Sequence, residues 1–417
     1  RLWGDLVTTR YGVTTDSARR FRYGVQVNSL GLTEEQPENN VQRIVLEMLG
    51  VSLAKDSRAR AIQLPAWNEA LGLPRPWDQQ WSLRMQQVLA LETDLLEYED
   101  IFEGSIVIET KVAELMGEIR TELDRILQMG GVIPALESGY LKSALVASHA
   151  RRRARIESGD LPVVGVNIFE TSEVSPLSQS ANILVVDPNI EERRVEEVLA
   201  FKAERDPELV RVALQTLDLA AESGVDLVEA SIAAAKVGVT TGEWSSVLRA
   251  RLGEYRSPTG VVDSVTTRTP EIELVRSRVD ELAQLRGHRP RLLIGKPGLD
   301  GHSNGAEQIA VRARDCGFEV IYQGIRLRPE DIVAAAIAED VDVIGLSILS
   351  GSHKTLVAEI LDLLSLEKAS DIPVIVGGII PEDDAQWLES IGVAATFTPK
   401  DFNATQIMNS IVGILNA

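Results

Sequence analysis

From His288 onward, short runs rich in Val, Ile and Leu alternate with stretches of helical period. The runs are residues 291–295 (RLLIG), 319–323 (EVIYQ), 341–346 (VDVIGL), 373–376 (PVIV) and 394–397 (AATF). Between them the spacing predicts helices over 306–315, 329–339, 353–366 and 381–390, with a last one from about Asp401. Pro329, Pro381 with its following acids, and Thr398-Pro399 with Asp401 mark helix starts. Strands that are apolar without alternation need cover on both faces. Five such β/α repeats therefore read as a parallel, doubly wound sheet of flavodoxin-like order.

Upstream, residues 187–286 are rich in Ala, Leu, Glu and Arg and predict helices only. One is framed at both ends, by Thr240 with Glu243 three residues on as a capping box and by Gly253 as its stop. The first 135 residues mix strand-like runs at 21–27 and 61–64 with helices over 39–49, 81–96 and 105–129. This is again a β/α pattern, and a full (β/α)8 TIM barrel takes roughly 250 residues, so the region supplies only part of one. The expected organisation is α/β: a partial barrel at 1–135, a helical linker at 136–287 and the doubly wound domain at 288–417. The barrel strands carry Gln26, Asn28 and Gln63 where aliphatics normally pack. Two readings stand: a ligand threads the axis, or these residues lie on loops or an exposed face.

Composition narrows the partners. With 62 acidic and 42 basic residues the formal charge is −20, and 44% of residues are hydrophobic. Disorder needs fewer apolar residues, and a nucleic-acid binder needs a basic surface. No run approaches the roughly 18 apolar residues of a membrane span, and no basic start precedes an apolar run, so a cytoplasmic protein without membrane or nucleic-acid partners is expected. Cys316 is the single cysteine, which excludes an internal disulfide or a cysteine-cluster metal site. The chain opens on Arg1 rather than Met and is expected to be a piece of something longer.

The candidate chemistry follows the first strand of the last domain, in Lys296-Pro297-Gly298-Leu299-Asp300-Gly301-His302-Ser303-Asn304-Gly305. A metal-bound imidazole works best when its other ring nitrogen donates to a carboxylate, and Asp300 is spaced to be that partner of His302. Gly301 and Gly305 remove side chains where a bulky ligand would press, and let the loop reach outward. The third strand ends in Ser347-Ile348-Leu349-Ser350-Gly351-Ser352-His353, and the fourth in Gly377-Gly378. In a sheet of order 2-1-3-4-5 the crevice opens between the carboxyl ends of strands 1 and 3. Two independent motifs thus fall where the fold places a ligand. Alone, a glycine-rich loop between strand and helix is more often a tight turn or a phosphate cradle than a metal site.

Joined by Ser-x-Leu and Gly-Gly at the strand ends, the Asp-x-His-x-x-Gly loop resembles the cobalamin-binding domain in which a protein histidine coordinates cobalt from below. That resemblance implies His302 as the lower axial ligand of cobalt and Asp300 as its hydrogen-bond partner. It implies Ser347, Leu349, Gly377 and Gly378 along the slot for the nucleotide tail, and Lys296 matches a lysine beside the ligand triad; Gly301, Ser303 and Gly305 complete the loop. Leu32–Asn40 (LTEEQPENN), Trp67–Leu71 (WNEAL), Met129-Gly130-Gly131 and residues 163–167 (VVGVN) resemble the acyl-CoA mutases of the methylmalonyl-CoA mutase family. The likeness runs the whole chain but covers only the rear of that family's barrel. Where methylmalonyl-specific members have a histidine two residues before the glutamine matching Gln26, this chain has Gly24, and their His-Thr-Asn-Ser-Tyr reads Gln63-Leu64-Pro65-Ala66-Trp67. With Glu243-Trp244 and the 296–305 loop, these departures are similar to the ethylmalonyl-CoA-specific branch. A glycine in place of an imidazole makes room for one more methylene, worth only about 1–3 kcal/mol.

The resemblance implies adenosylcobalamin as cofactor, an acyl-CoA substrate, and radical migration of the thioester carbonyl group, most simply from ethylmalonyl-CoA to methylsuccinyl-CoA. Methylmalonyl-CoA mutase is the runner-up, and a non-catalytic cobalamin carrier or sensor the alternative from another class. It further implies a homodimer, a need for the front half of the barrel, and Tyr23, Gln26 and Gln63 as substrate or adenosyl contacts. Other residues read as ordinary structure: His149 and His288 as solvated, Cys316 as a small buried hydrophobe, and Arg151-Arg152-Arg153 with Arg155 as a solvated helix face. His353, at an expected helix start, reads as either a cap or a cofactor amide contact.

Overall fold

A computed structural model describes residues 1–27, 29–173, 175–178, 183–184, 189–255, 258–260, 269–348, 351–398, 401 and 403–416. The chain divides into two compact units, Arg1–Leu184 with Pro258–Ala417, and Val185–Ser257.

In the larger unit, Val25–Gln26 (β1) and Ile62–Gln63 (β2) pair in parallel. Further on, Arg291–Pro297 (β3), Glu319–Leu327 (β4), Val343–Ile348 (β5), Val374–Gly378 (β6) and Ala395–Phe397 (β7) form one parallel sheet of order β4-β3-β5-β6-β7. That is the flavodoxin-like order the repeats predict. Successive residues of β3 point to opposite faces, which explains the missing polar alternation. Leu292 and Ile294 pack with Ile272 and Val275 of helix Pro270–Arg286, Val311 of helix Asn304–Asp315, Ile411 of helix Ala404–Leu415, and Val146 of helix Tyr140–Glu157. On the other face Leu293 and Ile344 meet Ile332 of helix Pro329–Ala338, Val357 and Ile360 of helix His353–Leu366, and Leu388 of helix Glu382–Ser390.

Helix starts follow the expected chemistry with one correction. Pro329 opens its helix and Pro381 precedes three acids in a first turn. The last helix begins at Ala404 rather than near Asp401. Asn403 caps it by accepting from the N–H groups of Thr405 and Gln406, whereas Asp401 accepts from Thr398 N at 2.8 Å in a separate turn. Asn is a stronger N-cap than the Thr398 that the Thr-Pro signal offers.

The front of the unit holds helices Asn39–Leu53 and Ile106–Gln128, close to the predicted spans, and Pro76–Leu91, which starts and ends five residues before the predicted 81–96 because Pro76 and the Arg75–Asp78 capping box open it. Val27, Ile44, Met48, Leu64, Trp67 and Leu89 form its small core. The strand runs shorten to two residues each, and among the described residues β1 and β2 pair only with each other. This is an open β/α fragment, not a closed barrel. Gln26 and Gln63 stand opposite each other in register, both exposed. Asn28 lies outside the described residues.

The smaller unit is helical, with Asn189–Glu204, Pro207–Ser223, Leu227–Lys236 and Thr241–Leu252. Thr240 and Glu243 form the expected capping box and Gly253 ends the helix. Arg205 grips Glu243 with two nitrogens and holds its carboxyl well below the ordinary range. Among the described residues no helix is long and apolar enough to cross a membrane.

Candidate functional site

The chain leaves β3 through Lys296 and Pro297 and turns at Gly298, whose φ of +81° favours glycine. The following loop is organised around Asp300. Lys296 is fully buried, with its Nζ 2.6 Å from Asp300 Oδ2 and donating to the Ser347 carbonyl at 3.2 Å. The other carboxylate oxygen, Oδ1, accepts from the His302 N–H at 3.0 Å and lies 2.6 Å from His302 Nδ1. Burial pushes the Asp300 carboxyl up, but the Lys296 ammonium and the two His302 donors outweigh it and hold the group at about 2. An ionised carboxylate only accepts, so Nδ1 carries the imidazole proton and the Nε2 lone pair is left for a ligand bond. The His302 side chain is 76% exposed, so that nitrogen is reachable.

The other predicted motifs meet this loop at the sheet's carboxyl edge. Ser347 is bound to Lys296 through its carbonyl, which ties the third-strand motif to the first. Gly378 stands opposite Ile348, and a Cβ there would lie 1.8 Å from the Ile348 carbonyl oxygen, so only glycine fits. Gly377 pairs with Ser347 in the same ladder. A Cβ on Gly301 would come within 3.2 Å of the Arg326 guanidinium, whereas one on Gly305 would meet nothing within 4 Å. Leu349 lies outside the described residues.

Sequence reading did not identify the polar slot beside the loop. Lys142, from helix Tyr140–Glu157, donates to Ser303 Oγ at 3.1 Å and pairs with the buried Glu307 at 2.5 Å. Around it Ser143 Oγ, Asn304 Oδ1, Glu307 Oε2 and Tyr322 Oη are buried with no hydrogen-bond partner. Burial and the nearby Glu307 push the Tyr322 phenol up, so it stays a donor. Buried polar atoms left unmatched cost roughly 1–3 kcal/mol each, and a polar group inserted here would satisfy them. An outward imidazole nitrogen, a glycine-walled strand end and this slot together fit a corrin with a hydrogen-bonding tail.

Of the front-region candidates, Gln26 and Gln63 lie on the strand pair and Tyr23 two residues before it. Tyr23 Oη donates to the Ser57 carbonyl at 2.7 Å, and Gln26 and Gln63 share the exposed face. A second missed residue, Glu69, lies near enough to His302 for their charges to interact; burial raises its carboxyl and His302 lowers it. Its signal was its place in the Trp67–Leu71 stretch.

Other expectations changed on contact with neighbours. His353 is buried and binds Asp384 Oδ2 through Nε2 at 2.9 Å, and no side chain caps its helix. His288 is exposed, as expected, with Asp342 3.3 Å from its Nε2. Arg153 turns inward to Glu157 at 3.1 Å while Arg151 and Arg152 are exposed. Cys316 is buried, as expected.

Comparison with known proteins agrees with this geometry. Residues 1–254 match methylmalonyl-CoA mutase and residues 290–401 match the B12 binding domain. The chain is 55% identical over 417 residues to ethylmalonyl-CoA mutase of Cereibacter sphaeroides, covering 100% of this chain and 63% of that protein. Against ethylmalonyl-CoA mutase of Methylorubrum extorquens it is 53% identical over 415 residues, covering 99% and 60%. Against methylmalonyl-CoA mutase of Escherichia coli identity is 30% over 424 residues, covering 100% and 58%. The chain thus spans about three fifths of the length of these relatives. Because the mutase match extends over more than half of its residues, this chain belongs to the methylmalonyl-CoA mutase family.

Proposed function

We propose that this chain is the rear portion of a coenzyme B12-dependent acyl-CoA mutase acting on ethylmalonyl-CoA to give methylsuccinyl-CoA. Residues 1–135 form the rear of the catalytic barrel, 136–287 the helical connection and 288–417 the cobalamin-binding domain. The observation that carries the substrate choice is identity of 55% across all 417 residues to an ethylmalonyl-CoA mutase, against 30% to a methylmalonyl-CoA mutase. A carrier or sensor has no use for the mutase match over residues 1–254.

When bound, adenosylcobalamin supplies radical carbon-skeleton chemistry. The protein's part is positional. His302 offers Nε2 to cobalt, Asp300 fixes the tautomer, and Lys296 keeps Asp300 ionised. Ser347, Gly377 and Gly378 line the slot for the tail, and Gly301, Ser303 and Gly305 complete the loop that carries His302. Tyr23, Gln26 and Gln63 contact the acyl-CoA or the adenosyl group, and Gly24 leaves room for the additional methylene. The enzyme works in the cytoplasm as a homodimer and needs the front of the barrel to exclude water from the reacting centre.

Two measurements test this reading. His302→Ala should abolish the histidine-bound spectrum of added cobalamin, and an unchanged spectrum would remove His302 as ligand. The full-length protein should turn over ethylmalonyl-CoA in preference to methylmalonyl-CoA, and turnover of the latter alone would overturn the substrate choice.

A further inference from the structure

We infer that Lys142 is a positioning residue for His302: it draws the Ser303 hydroxyl away from helix capping and so fixes the turn in which the imidazole stands. The inference rests on the cobalamin reading above.

Ser303 follows His302 directly and occupies the N-cap position of helix Asn304–Asp315. Serine is among the strongest N-caps: its oxygen accepts from an N–H of the first turn while its own backbone is extended. Neither holds here. The Ser303 side chain makes no capping hydrogen bond, and its backbone is already helical at φ −85° and ψ −20°. The hydroxyl oxygen instead accepts from Lys142 Nζ at 3.1 Å. The same ammonium lies 2.5 Å from Oε1 of Glu307, whose side chain is 1% exposed. Glu307 closes the turn, since its N–H donates to the Ser303 carbonyl at 3.0 Å. Lys142 therefore grips the first helical turn at both ends. On the other side of His302, Lys296 holds Asp300 at 2.6 Å. The imidazole thus leaves the chain between two fixed residues, each held by a lysine.

The second Glu307 oxygen, Oε2, has no hydrogen-bond partner among the described residues, so losing the ammonium would leave a buried charge uncompensated. The turn would then shift, or Glu307 would take up a proton. In either case Ser303 is released to cap the helix with an extended backbone, which re-aims His302 beside it. Lys142 is not what seats its own helix. Val146 is fully buried in the sheet's core, Glu157 pairs with Arg312 at 2.8 Å, and Gln308 reaches the Val146 carbonyl at 3.5 Å. Lys142 also belongs to the stretch that matches the mutase, whereas Ser303 and Glu307 belong to the stretch that matches the B12 binding domain. The posture of the candidate ligand is therefore set partly from outside the domain that carries it.

The test compares Lys142→Met, which keeps the stem and loses the ammonium, with Lys142→Arg in the 417-residue chain. Before any corrinoid is added, amide hydrogen exchange at Glu307 should quicken about tenfold in Lys142→Met while β5 keeps its rate. An unchanged rate at Glu307 would overturn the role. Under titration with hydroxocobalamin, followed by the visible spectrum, Lys142→Met should form the histidine-bound species about tenfold more weakly, and Lys142→Arg should recover to within about threefold of wild type. No weakening in Lys142→Met, or an equal one in Lys142→Arg, would also overturn it. Wild-type chain that forms no histidine-bound spectrum would overturn the cobalamin reading instead, and the exchange rates would still decide what Lys142 does at the turn. If Lys142→Met does not fold, Ser303→Ala leaves the ion pair intact and removes only the hydroxyl. It should weaken the histidine-bound species in the same direction by less, and no change there counts equally against the inference.

Discussion

The two halves of the larger unit are held together by different forces. Around β3 to β7, apolar side chains on both faces of a five-stranded sheet make two cores, and Leu292, Leu293 and Ile344 are completely buried. Around β1 and β2 the core is small, helix Ile106–Gln128 buries no residue, and the fixed points are polar. Asn40, Asn68 and Asp78 are all fully buried and hydrogen-bonded. Burial of hydrocarbon is non-directional, while hydrogen bonds weaken steeply as their angles depart from ideal. The rear domain is thus stable by bulk, and the front region is specified by geometry.

The largest effect expected from this contrast is in the sheet. Ile344→Ala should cost about 3–4 kcal/mol in chemical unfolding. Hydrogen exchange should quicken through β5 and β6 while helix Asn39–Leu53 keeps its rate; equal quickening in both regions would mean that they unfold as one. Next comes Asn40, which accepts from Thr33 N at 3.0 Å and from Arg43, and donates to the carbonyls of Thr33 and Trp67. Asn40→Ala should cost about 2–3 kcal/mol, since several buried partners lose their match. A loss below that of a single surface substitution would refute the polar account of the front region.

The smallest effect concerns the site itself. The folded-state value of Asp300, about 2, lies below its ordinary 3.8. Its ionised form therefore adds stability that is complete above about pH 5 and disappears as pH falls through about 2, roughly 2 kcal/mol in all. Thermal unfolding of wild type and Asp300→Asn should converge by that amount over this window. A difference independent of pH would show that the loop does not depend on the charge.

Legibility followed the same division. The rear strands were readable because burial on both faces leaves uninterrupted apolar runs, and their order follows from a general rule for parallel sheets. Asp300 and His302 were readable because both lie in one short loop. Lys142 and Glu307 were not, since they find each other from segments distant along the chain; Asp78 has its partners within eleven residues, but a carboxylate on a helix carries no sign of being buried. The aspartates that His353 and His288 meet were illegible too, since each is contributed by another element. The late start of the final helix shows a proline signal yielding to a better cap at Asn403.

Lys296 gives the His302 arm a particular mechanical character. Its ammonium lies in a dry pocket with a carboxylate and a carbonyl as counterparts, so sliding the loop away would strand a bare cation. The ring reaches outward from a root that is anchored like a hinge pin. Transplanting the arm into another scaffold would therefore demand the lysine along with it, and a graft lacking that anchor would wander.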